Sequence, residues 1–216
     1  EVDLDYVADD LPKLCSSLSL GTKRIREIVL SLRNFSRLDE STVKTVDIHE
    51  GIESTLLIVQ HRLKTGGANS AIDVVKDYGK LPQVECYAGQ INQVFMNLIV
   101  NAIDAVQSAQ ADTDIVKTVT ITTASLSADR VKVSIKDDGD GIQPDILGKL
   151  FDPFFTTKAV GKGAGLGLSI SYKIIEAHAG KLYCQPAPGK GAEFVIELPI
   201  KSSLSLHPQK VHRSAA

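Results

Sequence analysis

Tryptophan is absent from the 216 residues and aromatic side chains make up only 5% of them. That scarcity excludes nothing by itself. Other absences are more informative. There are three cysteines, Cys15, Cys86 and Cys184, odd in number and far apart. They exclude a disulfide framework and a Cys-rich zinc site, and suggest reduced, mostly packed thiols in a cytosolic setting. No apolar run is long enough to cross a bilayer, and the acidic start EVDLDYVADD has no signal-peptide pattern. Net charge is −2, so no excess of one sign points to nucleic acid or a membrane surface. No internal repeat occurs. There is no G-x-x-x-x-G-K-[ST], no G-x-G-x-x-G after a strand and no H-E-x-x-H, which leaves P-loop, Rossmann and zincin chemistry without support.

What is present divides into three parts. In residues 1–40, Leu11, Leu14, Leu18, Ile25, Ile28, Leu32 and Phe35 recur on three- and four-residue steps, interrupted where Gly21 takes an inward position. This predicts a long heptad helix, capped by Asp9 or Asp10 with Pro12 in its first turn. Such a stripe needs a partner, so the helix either dimerises or packs on a core. From 41 to 200 strands and helices mix. VKTVDI (43–48), IDVVKDY (72–78), VKTVTITTA (116–124), RVKVSIKDD (130–138), KLYCQP and GAEFVIELP read as strands. Residues 49–64, 88–109 and a stretch from Gly165 to about His178 read as helices, with a short one after Pro144. Without regular βαβ alternation, this predicts an α/β fold with a mixed sheet and helices on one face. The tail over 201–216 is polar and patternless.

Three clusters carry chemistry. Asn97 and Asn101 lie four apart on one face of an otherwise apolar helix. They are either buried, hydrogen-bonded amides or oxygen donors toward a hard cation such as Mg²⁺. Asp137-Asp138-Gly139-Asp140-Gly141-Ile142 ends a strand; its carboxylate could accept from an adenine amino group and repel a guanine carbonyl, although Asp-Gly turns are also common in plain loops. Gly163-Ala164-Gly165-Leu166-Gly167-Leu168 opens a helix, whose free amides and positive end suit polyphosphate unless the loop is merely flexible. His49-Glu50 reads as a surface cap at a strand-to-helix junction, and the other four histidines are isolated.

In order, these segments resemble the ATP-binding domain of sensor histidine kinases, within the GHKL ATPase superfamily. "NLIVNAIDA" is similar to its N box, "DDGDGI" to its first glycine box, "FDPFFTTK" to its F box, "GKGAGLGL" to its second glycine box and "GKGAEFVIELP" to its final glycine turn and strand. The likeness runs from about Val43 to Pro199. It implies a two-layer α/β sandwich of the Bergerat type, with ATP and Mg²⁺ as ligands. By resemblance, Asn101 coordinates Mg²⁺, Asn97 sits beside the metal and phosphates, and Asp137 holds the adenine amino group. Gly139, Gly141 and Ile142 shape the base pocket. Phe155, Thr156, Thr157 and Lys158 lead into a lid that Gly163, Gly165, Leu166, Gly167 and Leu168 close on the phosphates. Asp104 belongs to the same nucleotide-binding set, and Asn97 and Lys158 are the implied catalytic residues. The N-terminal stretch resembles the second helix of the family's dimerisation and phosphotransfer hairpin, implying a homodimer in the full protein and a response-regulator receiver domain as partner.

Two positions depart from the family pattern. Ala192 stands where relatives often carry a hydroxyl, and no His-Glu phospho-acceptor motif precedes the heptad helix. The chain is therefore expected to bind ATP without phosphorylating itself, its acceptor His lying on a hairpin helix that it lacks. Asn97 stands where hydrolytic branches place a Glu base, which favours transfer over hydrolysis. A non-catalytic nucleotide-sensing or dimerisation module and a Ser/Thr-directed kinase of the same superfamily are the alternatives. A cytoplasmic location is expected, with any membrane anchor upstream.

Overall fold

Alternation of β-branched and polar residues builds the main sheet. In the computed structural model, which describes residues 11, 15, 42–64, 72–109, 117–158, 165–186 and 191–202, five strands run in the order β2-β4-β5-β7-β6. They are β2 (Asp73–Tyr78), β4 (Thr118–Ser125), β5 (Arg130–Asp137), β6 (Lys181–Pro186) and β7 (Ala192–Pro199). β2 pairs parallel with β4 and every other pairing is antiparallel, so the sheet is mixed as expected. The register sets Ile121 beside Ile135 and Ile135 beside Phe194, so one face is apolar. Thr120, Thr122, Lys132, Lys136 and Glu197 alternate onto the other face, where the Tyr183 hydroxyl donates to Glu197 Oε1 at 3.2 Å.

Three helices cover the apolar face: α1 (Ile48–Lys64), α2 (Ala88–Ser108) and α3 (Gly167–Ala177). A 3₁₀ turn spans Pro144–Lys149. α2 is central. It packs against α1, α3, β4 and β5, and buries Ile91, Val94, Phe95, Leu98, Ile99, Ala102, Ile103 and Val106. Each fully buried Leu, Ile or Phe contributes roughly 1.5–3 kcal/mol over an exposed one. The expected N-terminal helix and the tail beyond 202 lie outside the described residues, Leu11 and Cys15 apart.

Two local differences from the expected elements, and one helix end, have physical causes. Ile48 begins α1 instead of ending a strand, because Asp47 Oδ1 accepts from the His49 amide at 2.8 Å and caps the first turn. A second, two-stranded sheet joins β1 (Lys44–Val46) to β3 (Val84–Cys86). Three residues after Pro82 are too short to show a period, and their partner is some forty residues distant, so β3 was not legible. At the end of α3 the left-handed residue is Ala179, at φ 53°, although a glycine follows it directly. Gly180 is needed for another reason: a Cβ there would lie 2.5 Å from the Glu197 carbonyl oxygen of β7.

His178, one of the isolated histidines, is a buried link between helices. Its Nδ1 donates to the Ile174 carbonyl at 2.7 Å, and its Nε2 accepts from the Tyr87 amide at 3.1 Å, just before α2. Burial holds its pKa below the ordinary value, against the smaller opposing pull of the Ile174 carbonyl. Above about pH 6.5 the ring is neutral both folded and unfolded. As pH falls below that value the unfolded chain takes up a proton that the folded chain resists, so stability falls. The melting midpoint should therefore drop from pH 7.5 to pH 5.5. Thermal melts across that range should show a shallower drop in His178→Gln.

Candidate functional site

α2 has one polar seam. Asn97, Asn101 and Asp104 follow at spacings of four and three, so they stack on one side of the helix above a dry core. Together they hold three parts of the chain, with Lys158 shared by Asn101 and Asp104. Asn97 Nδ2 donates to the Gly167 carbonyl at 3.0 Å and to Ser171 Oγ at 3.1 Å, tying α2 to the first turn of α3. Ser171 is fully buried and its hydroxyl donates to the same Gly167 carbonyl at 2.8 Å. Asn101 Oδ1 accepts from Lys158 Nζ at 3.0 Å. Asp104 pairs with Lys158 through one carboxylate oxygen and with Arg62, in the last turn of α1, through the other. Burial pushes the Asp104 carboxyl up, but the two cations outweigh it and hold its pKa below the usual value.

At one end of this seam lies Asp137, the last residue of β5, with 3% of its surface exposed. Its Oδ1 accepts from the Gly139 amide at 2.9 Å and, at the longer distance of 3.4 Å, from the Ala192 amide. The second oxygen has no protein donor among the described residues. Burial is the largest influence on its pKa and raises it; the two amides pull the other way and Asp138 adds to the rise. Glycines frame the group. A Cβ at Gly139 would meet Asp137 Oδ1 at 2.8 Å and Ala105 of α2 at 3.0 Å. Gly141 has φ 78°. Gly191 has φ 83°, and a Cβ there would fall 1.6 Å from the Asp137 carbonyl oxygen. Ile142 packs half-buried against the core.

At the other end is the start of α3. The amides of Gly167, Leu168 and Ser169 precede any intrahelical partner and make a positive helix end. Gly165, at φ 67°, allows the chain to pass the F-box segment: a Cβ would lie 2.5 Å from the Phe154 carbonyl carbon and 2.7 Å from the Phe155 oxygen. Phe154 itself has φ 67° and is 73% exposed. Thr156 Oγ1 accepts from the Lys158 amide at 3.1 Å, while Thr157 is exposed. Gly163 lies outside the described residues.

The fold thus brings Asn97, Asn101, Asp104, Asp137, Gly139, Lys158, Gly165 and Gly167 around α2. Arg62 and Ser171 were missed. Arg62's only sequence signal is a basic charge near a helix C-terminus, and its partner lies 42 residues away. His49-Glu50 is not a catalytic pair. His49 stacks on Tyr78 with centroids 4.6 Å apart and bonds to buried Thr123 at 2.9 Å, and Glu50 is exposed. No cluster of three His, Cys, Asp or Glu suited to a metal occurs among the described residues. A cation here would rely on amide and ligand oxygens, a donor set Mg²⁺ accepts. Asn101 Oδ1 already receives a cation, the Lys158 ammonium.

The family described as "Histidine kinase-, DNA gyrase B-, and HSP90-like ATPase" matches residues 87–202. The chain is 35% identical over 177 residues to the signal transduction histidine-protein kinase AtoS of Escherichia coli, covering 82% of this chain and 27% of that one. It is 34% identical to the sensor kinase CckA of Brucella abortus, over 85% of this chain and 20% of that one. Across these relatives it thus spans about a quarter of their length or less. Among solved structures, the catalytic domain of the histidine kinase ThkA is similar at TM-score 0.61 and 30% identity, covering 74% of this chain and 96% of that one. Full-length ShkA in complex with AMPPNP is similar at TM-score 0.62 and 25% identity, covering 89% and 39%.

Gly191→Ala places a methyl group inside the Asp137 backbone at a left-handed φ. It should cost about 2–4 kcal/mol, the sum of the left-handed penalty and the displaced contact. Urea unfolding of the two chains measures this. A loss below about 0.5 kcal/mol, the range of a neutral surface change, would refute the close approach.

Proposed function

Because the chain belongs to the histidine kinase-, DNA gyrase B- and HSP90-like ATPase family, we propose that it is the ATP-binding catalytic portion of a two-component sensor histidine kinase. It binds Mg-ATP and donates the γ-phosphoryl group to a histidine on a hairpin helix that this sequence does not contain. A response-regulator receiver domain then takes the phosphoryl group. The full protein dimerises through the N-terminal helix, with this portion in the cytoplasm.

The observation that carries this reading is the Asp137 carboxylate. It is buried, its burial opposes ionisation, and it keeps one oxygen without a protein donor. That oxygen is not sealed from solvent, so it stays open to a donor from a ligand. An exocyclic adenine amine provides that donor, whereas a guanine carbonyl oxygen would face the carboxylate and be repelled. By the family likeness Gly139, Gly141 and Ile142 shape the base pocket, and the close contact of Gly139 with Ala105 keeps the acid against α2. The amides at the start of α3 receive phosphate oxygens, and Lys158, held at Asn101 and Asp104 in the free protein, supplies a cation to the phosphates. Asn101 would hold Mg²⁺ through its amide oxygen. When bound, Mg²⁺ neutralises phosphate charge and orients the γ-phosphoryl group. In the transfer, an imidazole nitrogen bonds to the γ-phosphorus as the bond to the β–γ bridging oxygen breaks, and ADP leaves. Asn97 keeps α3 in place and has no carboxylate with which to activate water, which disfavours hydrolysis.

Calorimetric titration with Mg-ATP and Mg-GTP tests the base contact. Asp137→Asn should weaken ATP by about 10- to 100-fold, the worth of a charge-assisted hydrogen bond, and narrow the preference for ATP over GTP. The same substitution should raise the melting midpoint of the free protein, since the raised pKa means that the ionised carboxylate opposes folding at neutral pH. An unaltered ATP affinity would remove Asp137 from the site. Absence of any binding at millimolar ATP would favour a scaffold. For transfer, the missing hairpin helix is supplied in trans with labelled ATP; acid-labile label on its histidine is the expected result. Label on Ser or Thr would point to the other kinase branch.

A further inference from the structure

The charged group around Asn101 contains one cation too many for the metal to enter unopposed. Lys158 Nζ donates to Asn101 Oδ1 at 3.0 Å, on the amide oxygen that would face Mg²⁺. An ammonium and a divalent cation repel strongly when they share one oxygen. Lys158 is also paired with Asp104 and is only partly exposed, at 34% of its side chain. We propose that Lys158 is a tethered stand-in for the metal in the nucleotide-free protein, and that Asp104 and Arg62 are positioning residues that set how firmly it is held. This inference rests on the ATP-binding reading above.

Asp104 provides the hold. It draws the ammonium onto the N-box side of the cleft, where it also satisfies Asn101. Arg62 limits that hold. Its guanidinium sits on the other Asp104 oxygen and also donates to Gln107 Oε1 at 3.1 Å, while Gln107 Nε2 donates back to the Arg62 carbonyl at 3.2 Å. Arg62 is thus anchored on α2 independently of Lys158. When Lys158 leaves for the phosphates, Asp104 keeps a partner and no unpaired carboxylate remains in the half-buried seam. Without Arg62, Asp104 would depend on Lys158 alone and hold it harder. Asp104 therefore acts as a counter-charge to the lysine, in contrast to the direct nucleotide contact that the family likeness implies.

The test uses the 216-residue chain and trinitrophenyl-ATP fluorescence titrated with MgCl₂, reading the Mg²⁺ concentration at half-maximal binding. Asp104→Asn should lower that midpoint by about 3- to 10-fold, the scale of an allosteric coupling. Arg62→Gln should raise it, and Arg62→Lys should restore the wild-type value. Thermal melts verify that each variant is folded; Asp104→Ser replaces Asp104→Asn if the latter is not. A simple structural staple predicts a lower melting midpoint with an unchanged or raised Mg²⁺ midpoint in Asp104→Asn, and that result overturns the proposal. An unchanged midpoint in Arg62→Gln overturns the role of Arg62. A wild-type chain that binds no nucleotide at any Mg²⁺ concentration instead sinks the ATP-binding reading, and this inference with it.

Discussion

One helix has to be buried and polar at once, and the remainder of the structure is arranged around that conflict. α2 sits under the sheet with eight apolar or small residues in the core, yet carries Asn97, Asn101 and Asp104 along one side. Polar groups removed from water must find partners or lose stability. The partners come from three parts of the chain distant in sequence. Asn97 takes the start of α3, Asn101 takes the end of the F-box segment, and Asp104 takes both that segment and α1. The hydrogen bonds that make the seam tolerable are therefore also the ones that draw the site together. A helix with Leu at these positions would pack as well and assemble nothing.

The glycines do different work at each place, although all look alike in sequence. At Gly191 and Gly165 both the φ angle and the space forbid a side chain, because another backbone passes within 3 Å of where a Cβ would be. At Gly139 the neighbours are the Asp137 carboxylate and Ala105, so the loss of Cβ brings β5 and α2 together at the buried acid. At Gly167 a Cβ would meet only the Asn97 side chain at an ordinary 3.5 Å. Its contribution is its carbonyl, which Asn97 and Ser171 share. Close backbone packing accounts for Gly165, Gly180 and Gly191.

The acid at one end of the seam and the cations in its middle represent opposite solutions to burying charge. Asp137 is buried, which opposes its ionisation against the smaller pull of two backbone amides. Asp104 is supplied with two cations and ionises more readily than usual. The difference follows from position. Asp137 ends a central strand, where only backbone amides reach it. Asp104 lies near the end of α2, where long Lys and Arg side chains can extend from neighbouring elements. The proposed placement of an uncharged base at one end and phosphates at the other matches this asymmetry.

Much was determined by the sequence itself. Period-two and period-3.6 patterns give most strands and all three described helices, because an element half in the core must alternate at its own geometric repeat. The N box, the Asp-Gly turn and the glycine-rich helix start are legible for the same reason: they are local, and their residue types are unusual where they occur. Tertiary structure decided what depends on distance along the chain. It decided that Val84–Cys86 is a strand, since its partner is β1. It decided that Ala179 takes the left-handed turn while Gly180 clears β7. It also decided that Arg62 belongs to the site at all. An arginine at a helix end has many possible partners, and only the packing of α1 on α2 selects Asp104 among them, because charge carries no address until the fold supplies one.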